Sequence, residues 1–131
     1  MATVARPIPR ILVVAAGALL AGALLLGVAL ENYLLFLALV EMAAVGVALA
    51  LFILVWSSRP YLENTYFLVL GVGMLFVGGL TLLHALAFDG MGVFVDYSPG
   101  LSAQFWIAGG ILAAATAVGA PLAIGREIPP R

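Results

Sequence analysis

The stretch TYFLVLGVGMLFVGGLTLLHALAF, Thr65 to Phe88, decides the fold. It runs 24 residues without Asp, Glu, Lys or Arg and holds one histidine, His84. A bilayer core needs roughly 20 predominantly apolar residues in a helix, so this stretch reads as a membrane span. Three more stretches match it: Ile11 to Leu30, Leu34 to Trp56 and Phe105 to Ile124. The second is interrupted once, by Glu41, and the fourth has Pro121 close to its end. Lipid offers no partner to an unpaired backbone group, so the spans must be helices. The expected fold is all-α, an integral membrane four-helix bundle forming a single domain over residues 1–131.

Composition agrees. Of 131 residues, 66% are hydrophobic and 8% charged, with a mean hydropathy of +1.27. Soluble domains run at roughly 45–50% apolar and about 25% charged, so a water-facing surface is out of reach here. The chain has no lysine and only five arginines, which leaves no basic patch and no nucleic-acid partner. Cysteine is absent, which removes disulfides and thiolate chemistry. Arg6 and Arg10 precede the first apolar run, but its 20 residues exceed the roughly 7–15 of a signal-peptide core. It is read as an uncleaved span.

Arginine placement sets the expected orientation. With the N-terminus inside, Arg6, Arg10, Arg59, Arg126 and Arg131 all fall on the cytoplasmic side, and the outer loops 31–33 and 89–104 carry none. This matches the excess of cations on cytoplasmic loops, and it places both termini in the cytoplasm. Tyr33, Trp56, Tyr61, Tyr66 and Trp106 lie near span ends, where amphipathic rings anchor at the interface. Asn64 is a candidate cap for the third span. Small residues four apart, such as Gly17 with Ala21 and Gly109 with Ala113, suit close helix contacts within a compact bundle or a homo-oligomer.

Glu41 and His84 are the ionisable side chains inside the spans that cost most to insert, on the order of 2.5–3.5 kcal/mol for a charge at the helix centre. Glu41 lies seven residues below Leu34, about 10 Å at 1.5 Å per residue, and His84 four residues short of Phe88, about 6 Å deep. Both fall in the outer half of the membrane, so they can meet. The pair reads in three ways: a hydrogen-bonded packing element, a proton- or ligand-sensitive site, or a metal or haem site with His84 and Glu41 as ligands. Two ligands fall short of the usual three or four, and Met91, Asp89, Asp96 and Gln104 are outer-side candidates to supplement them. Thr81, one turn before His84, can share its face and bond a ring nitrogen or a carbonyl. The 89–104 loop, with Gly90, Gly92, Pro99 and Gly100 as turn formers, is expected to fold over the outer helix ends as a lid. No nucleophile motif, phosphate loop or zinc-helix motif is present, so the chain is read as a non-enzyme.

From Leu70 to Ile111 the sequence resembles a known family. LGVGMLFVGGLTLLHALAFDGMGVF, then SAQFWIAGGIL, is similar to the third type of membrane-associated sensor (MASE) domain. The residues that carry the likeness are Gly71, Leu82-Leu83-His84 with Leu86 and Ala87, Gly90-Met91, Phe94, Gln104 and Trp106-Ile107-Ala108. Asn32-Tyr33, Glu41 and Tyr61-Leu62-Glu63-Asn64 extend it, so that it covers about residues 30 to 115. The resemblance implies a bacterial multi-span input module working with a histidine kinase or diguanylate cyclase. Taken with the matched depths and the helical spacing of Thr81, it points to a sensing site drawn from Glu41, Thr81, His84, Met91, Gln104 and Trp106. The chain departs from the family pattern at Thr81, where an aspartate is usual, at Phe88 and Asp89, where a tyrosine and a basic residue follow, and at Gly110, where an arginine stands. After Ile124 come only Gly-Arg-Glu-Ile-Pro-Pro-Arg, so a stand-alone subunit acting through a partner is expected, or a piece whose output half lies elsewhere. The rival reading is a small dimeric proton-coupled transporter using Glu41. A structural assembly subunit is the third.

Overall fold

The computed structural model describes residues 9–62, 64–97 and 100–124. Arg6, Glu63, Pro99, Arg126 and Arg131 lie outside the described residues. Four long helices follow one another: α1 (Arg10–Glu31), α2 (Tyr33–Ser58), α3 (Tyr66–Leu86) and α4 (Leu101–Gly119). Short 3-10 turns, Arg59–Tyr61 and Ala120–Ala123, extend α2 and α4. All four are long and apolar enough to cross a membrane, and no strand occurs among the described residues. The chain is therefore an all-α, multi-pass membrane protein.

The chain divides into two compact units, residues 1–37 and 38–131. In the first, a single residue separates two helices. The Asn32 N–H donates to the Val28 carbonyl at 2.8 Å, closing α1, while its Oδ1 accepts from the Leu35 N–H at 3.0 Å, opening α2. One asparagine thus caps both helix ends, a use of its short polar side chain that few other residues permit.

The second unit holds the rest of α2 with α3, α4 and both 3-10 turns. Its helices approach closely where α3 lacks side chains. At Gly71 a Cβ would lie 2.8 Å from Val55 Cβ of α2, and at Gly78 one would lie 2.8 Å from Ala48 Cβ. Lipid supplies no hydrophobic drive between helices, so this backbone proximity and its dispersion contacts hold α2 to α3. Gly78→Ala is expected to cost about 1–2 kcal/mol. Forced separation of the helices at roughly 1–3 kcal/mol is partly offset by the roughly 0.5–1 kcal/mol that alanine gains in helix propensity. An SDS titration of the protein in mixed micelles, followed by tryptophan fluorescence, measures it.

The ends of α3 differ from expectation in detail. Asn64 Oδ1 accepts from the Tyr66 N–H at 3.2 Å, so the expected capping bond forms although Thr65 is the residue adjoining the helix. At the far end the Ala87 N–H reaches Leu83 at 2.9 Å, and the chain leaves the helix through turns at Gly90 and Gly92, both with positive φ. Gly100 is also left-handed, at φ 98°, and α4 starts directly after it. The fourth helix thus begins four residues earlier than hydropathy implies. Ser102, Ala103 and Gln104 form a polar first turn that an apolarity criterion passes over.

Candidate functional site

His84 occupies the last turn of α3, and Ser102 the first turn of α4. His84 Nδ1 lies 2.9 Å from both the Ser102 carbonyl oxygen and Ser102 Oγ. Ser102 Oγ in turn lies 3.2 Å from the His84 carbonyl. One assignment satisfies the set: the Nδ1–H donates to the Ser102 carbonyl, and the Ser102 hydroxyl donates to the His84 carbonyl. This tautomer is inferred from the network of partners. Phe88 closes one edge of the ring in a T-shaped contact, with centroids 6.4 Å apart. The imidazole is thus oriented by the helix that follows it, in the way a carbonyl on one ring nitrogen aims the other at a ligand.

The other nitrogen faces α2. His84 Nε2 lies 3.8 Å from Glu41 Oε1, and both side chains are largely sheltered, at 12% and 19% exposure. The depth matching drawn from the sequence therefore holds, since the two expensive residues do meet. At 3.8 Å they are too far apart for a direct hydrogen bond. With the ring neutral, Nε2 is a lone-pair acceptor facing a carboxyl group.

The pair sits in a cleft of about 510 Å³ formed by α2, α3 and α4. Thr81, His84 and Glu41 are joined in its lining by Trp106, so four of the six residues proposed for the site come together. Met91 and Gln104 are not among the lining residues. Gln104 is exposed in the first turn of α4, and no described residue of the 87–100 connection is among the lining residues. The connection instead makes contacts of its own, Phe94 against Tyr97 edge-to-face at 5.6 Å, with Val93 and Val95 exposed. The remaining wall is apolar, from Ala44, Val77 and the α4 residues between Phe105 and Ala113.

Ser102 was missed in the sequence reading, which gave the role of histidine partner to Thr81. The signal was present, since Ser102 opens the SAQFWIAGGIL segment, but its proximity to His84 depends on where α4 begins. Among the described residues no group of three or more His, Cys, Asp and Glu side chains is placed to hold a metal. A metal at Glu41 and His84 would need the rest of its coordination from elsewhere.

A family model for a membrane-associated sensor domain, MASE3, matches residues 28–130, which is 103 of the 131 residues. The chain belongs to that family. No curated protein and no solved structure matches it. The match takes in only the last four residues of α1, so the family's part of the chain largely coincides with α2–α4.

Proposed function

We propose that the chain is a non-enzymatic signal-input module whose stimulus site is the cleft around His84 and Glu41. The observation that carries this reading is the pairing itself: two costly polar side chains face each other at 3.8 Å within a cleft whose lining, Thr81 and Trp106 apart, is otherwise apolar. Such residues within spans face partners or cavities and mark ligand or proton sites. In this reading the chain lies in the inner membrane with both termini cytoplasmic, supported by the arginine distribution. The site then occupies the outer half of the bilayer, and the module reports to a histidine kinase or diguanylate cyclase, as a homo-oligomer. The signal is a shift of α3 against α4, because the His84–Ser102 bonds tie the site to both helices.

The test is complementation of a host strain lacking the gene, reading cyclic di-GMP and regulator phosphorylation. Wild type restores the output and Glu41→Gln reduces its response at least about tenfold, a change of about 1.4 kcal/mol in coupling. An unchanged output with Glu41→Gln overturns the reading. Proton-driven efflux from inverted vesicles that vanishes with the same variant establishes the transporter in its place.

A further inference from the structure

We propose that the cleft takes a membrane-soluble phenol or hydroquinone, and that it prefers this hydroxylic form to the corresponding quinone. The inference rests on the reading of the cleft as the stimulus site and adds the chemical class of its ligand.

Three features select that class. First, the Ser102 carbonyl holds a proton on Nδ1, so the ring in its neutral form presents Nε2 as an acceptor. The group that best meets it is an O–H donor. A hydroxyl also accepts, so with Glu41 as the neutral acid one oxygen set about 2.8 Å from each partner donates to Nε2 and accepts from the Glu41 carboxyl across their 3.8 Å separation. A quinone carbonyl has no hydrogen to donate to Nε2. Sites built to bond a hydroxyl discriminate strongly against analogues that lack it, because their own polar group is left bare.

Second, the cleft is apolar beyond this end and large enough for a ring with part of a tail. Its 510 Å³ falls within the roughly 300–1,000 Å³ of small-molecule sites. Third, its α4 wall presents an aromatic next to a flat strip. Trp106 lines the cleft while 68% exposed, and Gly110 lines it with no atom within 4 Å of where a Cβ would stand. Ile111, also in the wall, is 66% exposed. A planar ring fits over the glycine, its edge meets Trp106, and entry is from the lipid. A saturated acyl chain fills the apolar part equally well but brings no donor to Nε2.

The experiment is equilibrium binding to the full chain in quinone-free phosphatidylcholine nanodiscs, kept anaerobic, with decylubiquinol and decylubiquinone as probes and empty nanodiscs subtracted. Decylubiquinol is expected to bind saturably, near one per chain and at least about tenfold more tightly than decylubiquinone. Dodecanol, a hydroxyl without a ring, is expected to compete at least about tenfold less well than the quinol. At Gly110 a Cβ would have no atom within 4 Å, so Gly110→Leu is expected to fold with its side chain in the cleft and to lose the saturable component. Equal or tighter quinone binding overturns the proposal. So does uptake that only tracks that of empty nanodiscs, or saturable binding that survives in Gly110→Leu. Absence of binding alongside lost output in Glu41→Gln removes the ligand class and leaves the input-site reading standing. Normal output in Glu41→Gln removes the input-site reading whatever binds.

Discussion

Gly73→Leu is expected to destabilise the α3–α4 pair by about 3 kcal/mol. A Cβ at residue 73 would lie 2.9 Å from Thr116 Cβ, and Thr116 Cγ2 and Oγ1 would be closer still. Thr116 is buried and β-branched, so it cannot swing aside at little cost. Leucine adds four carbons where not one fits, at the upper end of the roughly 1–3 kcal/mol that overpacking usually costs. The glycine-to-alanine part isolates the cause. Gly73→Ala is expected to cost about 1–2 kcal/mol alone, and Thr116→Ala on the same chain is expected to restore most of it, a coupling visible in a double-mutant cycle. Additive losses in that cycle would mean that Gly73 acts through backbone flexibility rather than contact. SDS titration of each variant provides the stabilities.

The same crowding explains what the sequence reveals and what it hides. The four spans are legible because hydrocarbon imposes one length and one secondary structure, and Thr65 to Phe88 predicts α3 to within two residues at either end. The meeting of Glu41 with His84 is legible because depth along two antiparallel spans is a matter of counting. Neither the start of α4 nor the role of Ser102 follows from hydropathy. Both depend on Gly100 adopting a left-handed conformation, after which a polar turn becomes helix. Small-residue spacing shows the same division. Both Gly109 and Gly110 line the cleft, but Gly109 is buried against Leu80, with 3.5 Å left for a Cβ, whereas a Cβ at Gly110 would have no atom within 4 Å. Spacing identifies both as small, and only the helix rotation says which one packs. The 89–104 loop is expected to form a lid, but its Val93, Val95 and Tyr97 are exposed, and the described lining of the cleft comes from the helices.

His84→Phe separates a working site from a purely structural pair, because the two roles predict opposite balances of stability and output. Phenylalanine keeps a ring against Phe88 and removes both nitrogens, hence the bond to the Ser102 carbonyl and the acceptor facing Glu41. The structural loss is small. Hydrogen bonds between membrane helices average about 0.6 kcal/mol, and the Ser102 hydroxyl still has the backbone carbonyl of residue 84, at 3.2 Å. The Ser102 carbonyl also stays within the first turn of α4 and is not stranded. Stability in an SDS titration is therefore expected to change by less than about 1 kcal/mol. The output is expected to vanish, since no group then faces Glu41 and nothing polar links the end of α3 to the start of α4 through the ring. Ser102→Ala makes the intermediate case. It removes the hydroxyl but leaves the backbone carbonyl that orients the imidazole, so most of the response is expected to survive. A His84→Phe chain that loses several kcal/mol while its surviving folded fraction still signals normally would make the pair a structural clasp. A stable, silent His84→Phe beside a responsive Ser102→Ala would locate sensing at Nε2, the one ring atom that α4 aims and does not occupy.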